Sequence, residues 1–72
     1  MPKQLPRLVN LYFRESVSHE HALTILNRLE LNLVDYNRTF NEYTVCVPRN
    51  EFKETMARVA SEPKIYDKNI KC

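Results

Sequence analysis

The sequence predicts an α+β chain whose elements run strand, helix, strand, strand, helix, strand. Three observations carry this. Residues 8–13 are a β-prone run with a marked apolar side, and residues 42–47 set Tyr43, Val45 and Val47 on one side with the period of a strand. Residues 19–29 and 51–60 repeat apolar side chains at helical spacing. Cap or breaker residues mark the junctions, with Ser18, Pro48, Asn50 and Pro63 at helix or strand ends and asparagines at 37 and 41. The 72 residues make one domain, because a chain this short buries only about 60% of its unfolded surface and has no core to spare for a second.

Residues 1–7, with two prolines and two basic groups, read as an irregular lead-in to a domain over 8–72. In the first strand, 8–13, alternation sets Val9, Leu11 and Phe13 on one side and Leu8, Asn10 and Tyr12 on the other. Ser18 is placed to cap the helix that starts near His19, since its hydroxyl can accept from an unpaired first-turn amide, and Glu20 suits the positive helix end. Ala22, Leu23, Ile25, Leu26 and Leu29 form that helix's apolar stripe. Strands over 31–36 and 42–47 flank a hairpin in which Asn37 and Asn41 take the place of glycine, asparagine being the residue that otherwise best tolerates positive φ. Pro48 ends the third strand, and Asn50 is placed to cap a helix over 51–60 with Phe52, Met56, Val59 and Ala60 inward. Pro63 stops it, and residues 64–70 supply a fourth strand. Two right-handed crossover units sharing one sheet make a ferredoxin-like βαββαβ sandwich, a four-stranded antiparallel sheet with both helices on one face and strands one and three at the centre.

Composition narrows the function. Average usage near 7% predicts about five glycines in such a chain; it has none, which excludes phosphate-cradling loops and dinucleotide fingerprints. Eleven Lys and Arg against nine Asp and Glu leave +2, too little for a dedicated nucleic-acid binder with a clustered basic face. Residues 64–72 are mildly basic, with Lys64, Lys68 and Lys71 against Asp67, as suits a soluble edge strand. Cys46 and Cys72 lack metal-ligand spacing and read as two free thiols in a reducing compartment. With neither a signal peptide nor a membrane span in the sequence, the expected setting is cytoplasmic.

No constellation points to catalysis. His19 and His21 lie about 200° apart on a helix and cannot share a metal ion. No serine has an evident base, so neither enzymatic chemistry nor a cofactor is expected. The expected site is the face of the sheet that the helices leave open, where alternation collects Leu8, Tyr12, Val34, Tyr36, Thr44 and Cys46. That partly apolar surface fits a protein partner, either a second copy or a different protein. The alternative is single-stranded RNA, stacked on Tyr12 and Tyr36 and held by Arg7, Arg14 and Arg38.

Across residues 8–70 the chain also resembles the ferredoxin-like propeptide and inhibitor domains of subtilisin-type proteases. The matching features are the helix from Ser18 to Leu29, the strand beginning at Leu31, the run Tyr43, Thr44, Val45, Cys46, Val47, Pro48, and the closing Met56, Val59, Pro63, Lys64 and Ile65; Glu30 and Lys64 stand where that family usually carries glycine. The resemblance implies a binder whose sheet face packs on its target while its C-terminal segment, residues 66–72 with Tyr66, Lys68 and Ile70, enters the target's cleft as an added strand.

Overall fold

The computed structural model describes residues 6–70. It contains β1 (Arg7–Phe13), α1 (His19–Arg28), β2 (Asn32–Asn37), β3 (Glu42–Val47), a 3-10 turn (Arg49–Glu51), α2 (Phe52–Ala60) and β4 (Ile65–Ile70). The strands form one antiparallel sheet in the order β2-β3-β1-β4, the ferredoxin-like arrangement. The first strand starts one residue early, at Arg7; most of the lead-in, and Lys71 and Cys72 at the far end, lie outside the described residues.

The core follows from alternation on the two central strands. Val9, Leu11 and Phe13 of β1 and Tyr43, Val45 and Val47 of β3 are buried against Ala22, Ile25 and Leu26 of α1 and Val59 of α2. Val17, in the β1–α1 connection, and Leu31, just before β2, complete the cluster. Phe13 and Tyr43 meet edge to face at 5.1 Å, a favoured geometry for aromatic pairs. Ser18 caps α1 as expected, its Oγ accepting from the His21 amide at 3.1 Å.

The second helix departs from expectation. Asn50 falls inside the 3-10 turn instead of capping α2, which starts at Phe52 with no side-chain cap. Its buried residues are Thr55 and Val59, with Phe52 and Met56 half-buried, while Ala60 is exposed because the helix is rotated to bring Thr55 inward. Glu62 is the unforeseen tie beyond it. This buried carboxylate accepts from Arg28 of α1 at 2.5 Å and from the Lys64 amide at 3.1 Å, holding the α2–β4 turn to the first helix. Arg14 fastens the same turn from the other side, donating from Nε to the Pro63 carbonyl at 2.9 Å.

Candidate functional site: the open sheet face

Both helices pack on the face that carries Val9, Leu11 and Val45, so cross-strand register decides what the other face displays. Leu8 lies opposite Cys46, Asn10 opposite Thr44, and Tyr12 opposite Glu42. On the outer side of β3, Asn32, Asp35 and Asn37 are opposite Cys46, Thr44 and Glu42. On the outer side of β1, Asn69 and Asp67 are opposite Asn10 and Tyr12.

Side-chain hydrogen bonds knit the middle of this face. The Thr44 hydroxyl donates to Asn10 Oδ1 at 2.7 Å, and both residues are buried, at 5% and 8% exposed, by their neighbours along the sheet. The Tyr12 hydroxyl donates to Glu42 Oε2 at 2.5 Å. That bond, with the negative charges of Glu42 and Asp67 nearby, raises the Tyr12 pKa above its ordinary value. An irregularity in the β1–β4 register at Tyr12 and Phe13 makes room for Tyr66 beside Asp67, and the Tyr66 ring lies 6.4 Å from that of Tyr12 while remaining 59% exposed. Where the β1–α1 loop meets the β2–β3 hairpin, the face runs into an open cleft of about 520 Å³ walled by Phe13, Arg14, Phe40, Asn41 and Tyr66.

The site residues expected from sequence therefore divide. Leu8, Tyr12 and Tyr66 share the open face or its rim. Val34 does not alternate regularly: the β2–β3 register shifts between Leu33 and Asp35, and Val34 is the extra, exposed residue. That one-residue bulge reverses the parity of everything after it. Tyr36 consequently pairs with Tyr43 on the helix side, 4.6 Å between ring centroids, and is covered by the His19 ring at 4.5 Å. Its expected place on the open face is thus corrected. Lys68 and Ile70 sit opposite Leu11 and Val9, on the helix side of the β4 edge.

The residues of the RNA alternative do not come together either. Tyr36 and Arg7 are on the helix side, Arg7 with its guanidinium 4.9 Å from the Phe52 ring, and only Tyr12 of that set occupies a strand position on the open face. What sequence reading overlooked is the acidic content of the face, Asp35, Glu42 and Asp67, which joins the Asn10 that alternation already placed there. The available signal was alternation along β3, which puts Glu42 on the same side as Thr44 and Cys46; the β1–β3 register then sets it against Tyr12.

Among the described residues no group of three or more His, Cys, Asp or Glu is placed to hold a metal ion. His19 Nδ1 instead shares a 2.9 Å hydrogen bond with the Tyr43 hydroxyl. Cys46 is a free, half-buried thiol. No described helix is long and apolar enough to cross a membrane. Comparison with protein families, with curated proteins and with solved structures found no match to the chain.

Proposed function

We propose that this chain is a non-enzymatic protein-binding module that regulates or inhibits a partner by occupying its surface through the open sheet face and the β4 edge. The observation that carries the reading is the Tyr12–Tyr66 pair: two adjacent tyrosines on a sheet face that no helix covers, one of them on an edge strand. Tyrosine offers large contact area at small entropic cost and dominates protein contact sites for that reason. Among the described strands β4 pairs only with β1, so its outer backbone groups are placed to accept an added strand, the mode suggested by the resemblance to protease propeptides. A reducing, cytoplasmic setting agrees with the free Cys46 thiol.

The test places a photo-crosslinking phenylalanine analogue at position 66 and irradiates the chain in its native extract. A defined polypeptide is expected on the crosslink, and Tyr12→Ala with Tyr66→Ala, still folded by circular dichroism, should weaken binding of that polypeptide by about tenfold or more. Crosslinking to RNA, or undiminished affinity of the folded double variant, would discard this reading.

A further inference from the structure

Charge is distributed over this molecule in a way that identifies the partner's chemistry. The chain carries a net +2, yet among the described residues its open face displays Asp35, Glu42 and Asp67 at strand positions and no Lys or Arg. The cations of the strands lie elsewhere: Arg7 is opposite Val47 and Lys68 opposite Leu11, both on the helix side. The ion pairs found among the described residues, Arg28 with Glu62 and Arg58 with Glu30, involve none of the three open-face carboxylates. Each of the three is nevertheless held in position. Asp35 Oδ1 accepts from the Tyr36 amide at 2.8 Å, Asp67 Oδ1 from the Lys68 amide at 2.8 Å, and Glu42 from the Tyr12 hydroxyl. Among the described residues these fixed carboxylates have no ion-pair partner; Glu42 and Asp67 flank the aromatic pair through their register with Tyr12, and the electron-rich face of a tyrosine ring itself attracts a cation.

We infer that the open face receives a Lys- or Arg-bearing polypeptide segment, with one cation against the Tyr12–Tyr66 pair between Glu42 and Asp67. This rests on the protein-binding reading and deepens it by naming the partner's chemistry. The same negative field repels a phosphate backbone, which is why polypeptide is favoured over nucleic acid. An arginine side chain fits the arrangement best, since its planar guanidinium can stack on a ring while its edge donates to a carboxylate.

The experiment pans a display library of random 12-residue peptides against the folded full-length chain and maps the selected peptides by amide chemical shifts. Expected are peptides enriched in Arg and Lys, shifting the amides of Tyr12, Thr44, Tyr66 and Asp67. Their affinity should fall roughly three- to tenfold in the Glu42→Gln, Asp67→Asn variant and fall again in high salt, as partly exposed ion pairs do. Both substitutions retain the oxygen that accepts the local hydrogen bond, so loss of binding cannot be ascribed to loss of fold. Selected peptides that are neutral or acidic, or that bind the open face with affinity indifferent to those substitutions, would overturn the inference while leaving a protein-binding face. Basic peptides that shift only amides away from that face would overturn it as well. No enrichment of any peptide, or single-stranded RNA binding to this face, would overturn both this inference and the reading beneath it.

Discussion

The Tyr43 phenol is sealed between β3 and the start of α1, with the Tyr36 ring beside it and the His19 imidazole stacked across it at 5.7 Å. Burial is the main reason its pKa is pushed up to about 12 from 10.0, and the neighbouring Tyr36 hydroxyl adds to the effect. The sign of the consequence is determined. Below pH 10 the group is protonated in both folded and unfolded chains and exerts no pH dependence; between pH 10 and about 12 the unfolded chain releases the proton and the folded one retains it, so stability falls as pH rises. Tyr43→Phe should therefore cost about 1 kcal/mol near neutrality, for the lost hydrogen bond to His19, and this deficit should shrink as pH climbs past 10. Urea unfolding at pH 8, 10 and 11 measures it; a deficit that is constant over that range would refute the assignment. At this same scale, burial of the central-strand side chains was legible in the sequence, because Val9, Leu11, Phe13, Tyr43, Val45 and Val47 obey strict alternation. Tyr36 was not legible, because a single bulged residue, Val34, inverts its face and leaves no mark in the hydrophobic pattern.

At the ends of α1 the chain manages without glycine. The helix closes with Leu31 N–H on the Leu26 carbonyl at 2.9 Å and Glu30 N–H on the Asn27 carbonyl at 3.0 Å, while the side chains of Leu26 and Leu31 join the same core. This is the Schellman closure, whose residue past the cap takes a left-handed conformation and is usually glycine. Here it is Glu30, at φ 59°. A non-glycine residue pays about 1–2 kcal/mol in that region, and its 3.8 Å contact with Arg58 is an exposed ion pair that returns little. Glu30→Gly should accordingly stabilise the domain by about 0.5–1 kcal/mol after glycine's greater unfolded freedom is counted, raising the thermal midpoint by roughly 2–8 °C; a midpoint that falls would show that Glu30 is held there by something stronger than its backbone. Sequence reading placed positive φ at the hairpin asparagines, and it was half right. Asn41 has φ 52°, whereas Asn37 works through its side chain, accepting from the Thr39 amide at 3.0 Å. Nothing in the glutamate's residue type advertises a left-handed backbone; the cues were its position, one residue past the C-cap Leu29, and the glycine usual there in the family the chain resembles. The capping of α2 by Asn50 failed for a related reason, since the intervening 3-10 turn shifts the helix start beyond that residue's reach.

At the scale of the whole molecule, its charges oppose pairing of a second copy through the open face or through the β4 edge. Two open faces laid together would bring the Asp35, Glu42 and Asp67 carboxylates of both copies into one interface. Pairing β4 with β4 to extend the sheet meets a stricter obstacle. A two-fold axis joining antiparallel edge strands stands perpendicular to the sheet and keeps each side chain on its own face. The register that overlaps all of β4 would bring Asp67 against Lys68 of the second copy, an attractive pair, but these residues occupy opposite faces of the sheet, opposite Tyr12 and Leu11, so the two-fold forbids it. The registers one step to either side set Asp67 against Asp67 or Lys68 against Lys68, and like charges directly across a strand pair are destabilising. The charged pair thus acts as a guard on an otherwise available edge, compatible with a foreign strand of suitable charge and hostile to its own. Asp67→Thr with Lys68→Thr removes the guard while retaining strand propensity. In sedimentation velocity the unaltered chain should run as a monomer, and the double variant should show a dimer whose fraction grows with protein concentration. A β4-linked dimer of the unaltered chain, or a variant that stays monomeric, would rule out charge on β4 as what keeps the edge open for a different partner.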